Sequence, residues 1–133
     1  MKDAFDVVAD VISLIDVPAV RSLLTGSIHA DNRPDGSKLI DVVVNCFGTT
    51  NNWQQKSTPN INIYVPNLPS GKKDSIKLRV IAKAVLPLVE SQYRETFQTD
   101  VDNSGNSIQD PDGNWFYNIP VNYYSIQEKF KNV

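Results

Sequence analysis

The chain has 133 residues, 41% of them hydrophobic and 21% charged, with a formal net charge of −2. That length suits one domain, residues 1–133, able to bury roughly two thirds of its unfolded surface. The near-neutral balance, with Lys72-Lys73 as the longest basic cluster, excludes a phosphate-binding stripe and gives no pull toward nucleic acid or anionic lipid. Cys46 is the only cysteine, so no intrachain disulfide can form, which fits a reducing compartment. No apolar run approaches the ~20 residues of a membrane span. Asp3, Asp6, Asp10 and Asp16 interrupt the N-terminal region, which is therefore not read as a signal peptide; a cytoplasmic location is expected.

In chain order, Asp3 to Ile15 predicts an amphipathic helix, with Ala4, Val8, Val11, Ile12 and Ile15 as the apolar stripe. Asp3 is placed to cap it, and Asp3, Asp6, Asp10 and Ser13 fall on the opposite face. That acidic face reads as a solvated side, with docking to a basic partner as the other reading. Pro18 to Leu24 predicts a short second helical piece stopped by Gly26, followed by an extended stretch from Ser27 to Ala30 and the loop DNRPDGS.

LIDVVVNCF, residues 39–47, predicts an interior strand covered on both faces. GTTNNWQQKSTPN, residues 48–60, reads as a polar loop carrying an isolated Trp53, which acts either as a lid over the sheet or as a partner contact. INIYVP predicts a half-exposed strand with Ile61, Ile63 and Val65 on one face and Asn62 and Tyr64 on the other, ended by Pro66.

A long helix is predicted from Asp74 or Ser75 to about Arg94, with Arg79, Lys83, Glu90 and Arg94 as its polar stripe and Pro87 bending it. Nearly all the rest of its circumference is apolar, so either the first helix or another subunit must cover its second side. FQTDV and NWFYNIPVNYY then predict a closing pair of strands, with a free edge or bulge at Pro120. The resulting fold class is α+β: an N-terminal helix and one long helix on a mainly antiparallel sheet, in the order α-β-β-α-β-β.

Between the last strands lies DVDNSGNSIQDPDGN, residues 100–114, with Asp100, Asp102, Asp110 and Asp112. Aligned as an EF-hand loop it starts well, with Asp100, Asp102, Ser104 and Gly105, but Pro111 stands where a bidentate glutamate is needed. The turn signatures Asn103-Ser104-Gly105 and Asp110-Pro111-Asp112-Gly113 read instead as a hairpin loop. His29 is the only histidine, Cys46 sits inside a predicted buried strand, and no nucleotide, zinc or nucleophile motif is present. No catalytic, cofactor or metal site is expected, and an enzyme is the least favoured reading.

Arg33, Pro34, Ser37, Asp41, Val43, Val44 and Asn45, followed by Asn60, Ile61, Asn62, Ile63, Tyr64, Val65 and Pro66, form a pattern that resembles small prophage proteins of Bacteroidetes type. The element order is similar to that of tail-completion or tail-terminator proteins of long-tailed phages. The motif covers residues 33–66 and the topology nearly the whole chain. The resemblance implies a non-enzymatic virion-assembly protein, a tail-terminator or head–tail-joining subunit. It would form a ring with copies of itself and meet the tail tube or head connector. It would work in the host cytoplasm during assembly and reside in the virion of an active phage. Arg33, Asp41, Trp53, Gln54 and Tyr64 are then candidate subunit or partner contacts. Arg33 is expected to pair with Asp41, and exchanging their charges to restore assembly lost in either single variant. The alternative is a monomeric module that holds a protein or small ligand with the Trp53 loop.

Overall fold

The computed structural model describes residues 2–50 and 54–126. In chain order the elements are α1 (Ala4–Ile15), α2 (Pro18–Arg21), β1 (Ile28–Ala30), β2 (Asp41–Asn45), β3 (Gln54–Ser57), β4 (Asn60–Tyr64) and α3 (Ser75–Val89). Five further strands follow: β5 (Gln92–Tyr93), β6 (Gln98–Asp100), β7 (Asn106–Gln109), β8 (Trp115–Pro120) and β9 (Asn122–Ile126). The fold is α+β, with two mainly antiparallel sheets rather than the one expected. The first is ordered β1-β2-β4-β8-β7 and the second β3-β9-β6-β5; among the described residues only the β1–β2 pair is parallel.

The two sheets run into each other through consecutive strands, β3 into β4 and β8 into β9. Asn60 faces Pro120 and Ser57 faces Tyr123, so the β4–β8 and β3–β9 ladders keep one register. They form a single long ladder bent at one corner, where the Val121 N–H donates to the Pro59 carbonyl at 2.9 Å. Pro59 and Pro120 bring no N–H to this corner, so regular pairing gives way there and the chain turns from one sheet into the other. This accounts for the interruption anticipated at Pro120.

The acidic stretch is not one loop, because β7 runs through it. Between the pairs Asp100–Asn122 and Asn106–Asn118, five residues on one strand face three on the other, which makes 101–105 a bulge. Gly105 sits at φ +100 there, and a Cβ would come within 2.6 Å of the Asn118 carbonyl. Both facts demand glycine. The β7–β8 connection is a separate tight turn around Asp110 and Gly113.

α1 forms where its pattern places it. The Asp3 carboxylate accepts from the Asp6 N–H at 2.8 Å and the Asp6 carboxylate from the Asp3 N–H at 2.9 Å, a reciprocal cap. Its buried residues are Val7, Val8, Val11, Leu14 and Ile15. Val7 and Leu14 join the expected Val8, Val11 and Ile15, with Ile12 half-buried against the edge of the core, because α1 touches α3 as well as the β1–β2 edge, which widens the covered stripe.

α3 stops at Val89, five residues short of the expected Arg94. Pro87 supplies no N–H to the last turn, and Ser91 turns out of it at φ +46. The Gln92 side-chain amide then donates to the Pro87 and Glu90 carbonyls, and the Thr99 hydroxyl donates to the Val89 carbonyl. These partners satisfy the helix end. Glu90 is therefore the C-cap, and Arg94 leaves the helix altogether.

The polar 48–60 segment, expected to be a loop, contains strand β3. Gln55 is buried there. Its amide donates to the Lys2 and Thr50 carbonyls and to the Thr49 hydroxyl, and its oxygen accepts from the Lys2 N–H. Asn62, expected to be exposed, is buried in the central strand β4. Cys46 falls just beyond β2 and is half-buried, with its sulfur 3.1 Å from the Ser57 hydroxyl.

The core lies between the helices and the inner faces of both sheets. Val42, Val44, Ile61, Ile63, Ile119 and Tyr123 meet Val11, Ile15, Ile81 and Val85 in one cluster, each large side chain contributing on the order of 1.5–3 kcal/mol by leaving water. Tyr123 is fully buried and donates its hydroxyl to Asp10, which also pairs with Lys2. Asp10 is thus anchored rather than solvated. Burial and the Asp10 carboxylate push the Tyr123 phenol far above its usual range. Among the described residues, no helix is long and apolar enough to cross a membrane.

Candidate functional site

Strand alternation sends Val42 and Val44 into the core and leaves Asp41, Val43 and Asn45 on the outer face, away from the helices. Tyr64 is the cross-strand partner of Asp41, and Phe116 is the partner of Tyr64. Their rings stack at 5.0 Å. The loop between β1 and β2 folds back so that the Arg33 guanidinium covers the Tyr64 ring at 4.7 Å. Arg33, Asp41 and Tyr64, singled out from sequence, are therefore neighbours in space. Gln54 stands apart on β3 in the second sheet, beside Phe97, Gln98 and Tyr124. Trp53 lies outside the described residues.

Asp41 is the centre of this region, with only 1% of its surface exposed. Oδ1 accepts from the Ser27 N–H at 3.0 Å and lies 3.1 Å from His29 Nε2. Oδ2 accepts from Arg33 Nε at 2.9 Å and from the Ser37 hydroxyl at 2.7 Å. Arg33 also donates to the Leu39 carbonyl, closing the loop on itself. Burial pushes the carboxyl pKa up, but hydrogen bonds from Ser37, Arg33, the Ser27 backbone and His29 outweigh it and hold the group at about 2. The backbone of Gly26 passes so close that any Cβ there would overlap the Asp41 carboxylate. Burial also pushes the Tyr64 phenol upward.

The chemistry open to this cluster is narrow. Ser37 and His29 both meet Asp41, on different oxygens, so the imidazole does not stand between hydroxyl and carboxylate as a relay to a nucleophile requires. A carboxylate held near pKa 2 is also a weak base at neutral pH. What the cluster does is pin the 31–40 loop onto the sheet. Asp41 acts through Arg33 and cannot itself reach a partner. Exchanging the charges of Arg33 and Asp41 would not restore the pair, because the Ser27 N–H, Ser37 and His29 would then face a cation. Ser37 stood in the recognised motif, whereas His29 and Ser27 join Asp41 only through the parallel β1–β2 pairing.

Beside the cluster the same face carries an asparagine ladder. Asn118 donates to Asn60 at 3.2 Å and to Asn62 at 2.8 Å, and Asn60 donates to Asn45 at 3.2 Å. These bonds tie the amides of three strands together, while Asn45, Asn60 and Asn118 stay half-exposed.

In the acidic stretch, Asp100 accepts from the Ser91 and Val101 N–H groups, Asp110 from those of Asp112 and Asn114, and Asn103 from that of Gly105. These are turn-forming bonds. Among the described residues, no group of three His, Cys, Asp or Glu side chains is gathered as a metal would require.

The helical layer on the opposite side differs. Phe5 on α1 is 71% exposed, and Ile76 on α3 is 79% exposed, with Val80 beside it. α1 with its caps carries Asp3, Asp6, Asp10 and Asp16 and no cation, whereas α3 carries Lys77, Arg79 and Lys83 and no acid between its caps. The sequence singled out the acidic face of α1, and on α3 it singled out Arg79 and Lys83 as part of a polar stripe with Glu90 and Arg94; with Glu90 at the cap and Arg94 outside the helix, what remains of that stripe is basic. The exposure of Phe5 and Ile76 was not legible, because it depends on which side of each helix meets the core. No protein-family model matches the chain, and no curated protein matches it.

Proposed function

We propose that the chain is a non-catalytic assembly subunit that works by associating with copies of itself, as a phage tail-terminator or head–tail-joining subunit does. The observation that supports this reading is the set of large apolar side chains, Phe5, Ile76 and Val80, held in solvent by well-formed helices. Apolar side chains gathered into one exposed patch mark surfaces completed by another molecule, and the reading requires that these three belong to such a patch in the assembly. The charged and polar cluster on the outer face is consumed by internal bonds, which argues against chemistry there. In the proposed role, copies form a ring that ends the tail tube and meets the head connector. Assembly takes place in the host cytoplasm, and the ring stays in the virion.

The test is absolute mass by light scattering on a sizing column over a concentration series. The reading predicts a closed oligomer, or a monomer that rises to one fixed larger mass. A monomer at every concentration would contradict it.

A further inference from the structure

The helical layer has two open flanks, at opposite ends of the first sheet. α1 packs over the β1–β2 end and α3 over β4 and β8, with α1 on one side of α3. On the other side of α3 a cleft opens toward β7. Leu78, Ala82 and Tyr117 form its apolar floor, and Lys73, Arg79 and Lys83 stand at its rim. None of these three cations meets a carboxylate within 4.0 Å among the described residues. At the β1 end, α1 presents Phe5, Ala9 and Ile12 next to Ala30 and Asp31. Asp3 and Asp6, flanking Phe5, are exposed and likewise meet no cation among the described residues.

The two flanks match in charge. One is an acidic helix bearing an exposed phenylalanine at the edge of a shallow apolar hollow against β1. The other is a concave apolar slot with a basic rim, lying beside a helix as α1 itself lies beside α3 within the chain. We infer that α1 of a second copy docks in the cleft between α3 and β7, with Phe5 on the apolar floor and Asp3 and Asp6 facing Lys73, Arg79 and Lys83. This rests on the self-assembly reading and names its interface. The contact joins two different surfaces head to tail, and such a contact propagates until rotation closes it into a ring. The helical layer of one copy would then continue into that of the next. Apolar contact supplies the affinity, and the opposed charges fix register and speed encounter.

Two variants of exposed residues test this. Phe5→Gln with Ala9→Gln removes the anchor and leaves the cleft intact. Arg79→Glu with Lys83→Glu reverses the rim and leaves α1 intact. Circular dichroism and thermal melting check that each keeps the wild-type fold. Each alone is expected to associate at least about tenfold more weakly than wild type. Mixed, they are expected to form a 1:1 complex of twice the chain mass and to stop there, since the intact α1 of one fits the intact cleft of the other and both remaining flanks are blocked. Raising salt should weaken that complex. If wild type associates and both variants associate equally well, the assigned interface is overturned while self-assembly stands. If the variants are monomeric but no mixed dimer forms, the head-to-tail pairing of these flanks is overturned. If wild type itself is monomeric at every concentration, both this inference and the assembly reading fall.

Discussion

The outer face around Asp41 and the flanks of the helical layer are both rich in charge, and they differ in what the charges meet. Asp41 has a full set of donors in Ser27, His29, Arg33 and Ser37, and the neighbouring asparagines bond to each other. On the helices, Asp3 and Asp6 are used only in capping, while Arg79 and Lys83 meet no carboxylate among the described residues. The densest collection of functional groups is therefore scaffold. The surface left without partners of its own is the plainer one, where single-sign charge stays in water beside Phe5. A cluster nominates a site only after its internal bonds have been counted.

The largest expected effect that would sharpen this contrast is at Asp41. Asp41→Ala leaves a buried hole facing the half-buried Arg33 guanidinium and the Ser27 N–H, and should cost on the order of 3–5 kcal/mol in urea unfolding. A loss below about 1 kcal/mol would show that the cluster does not hold the fold. The pH dependence of stability comes next. The folded Asp41 carboxyl, at about 2, lies below its unfolded value near 3.9. Its contribution is therefore complete above about pH 4 and is lost as pH falls through the folded value. That contribution is about 2–3 kcal/mol, and urea midpoints between pH 5 and pH 2 should reveal it as a slope that Asp41→Asn reduces. An identical slope in both proteins would break the assignment. The smallest stability effect belongs to the flanks. Arg79→Glu with Lys83→Glu should leave unfolding within about 0.5 kcal/mol of wild type, because both side chains are exposed and unpaired within the described residues. A loss of 2 kcal/mol or so would mean these cations serve the fold, as Arg33 does.

What sequence revealed and what it hid separate along the same line. The α1 cap was legible because Asp3 and Asp6 act over one turn, and the Arg33–Asp41 pairing because loop and strand lie close in the chain. Strand β3 was hidden because QQKS is polar and Gln55 is satisfied by the backbone of Lys2, far away in sequence. The end of α3 was hidden because its carbonyls are satisfied by Gln92 and Thr99 from beyond the helix. β7 was hidden inside a segment whose turn residues dominate its composition. The acidic face of α1 was plain in the spacing of its aspartates, but solvation and docking give the same pattern until the exposure of Phe5 and the basic cleft beside α3 are known.

The most direct test of the contrast is hydrogen–deuterium exchange on wild-type protein, compared between dilute and concentrated samples. Self-association through the helical flanks predicts added protection at concentration in the first turns of α1, along α3 and in β7, and none in the 33–45 segment around Asp41. Added protection centred on that segment and the asparagine ladder, with α1 and α3 unchanged, would contradict the account.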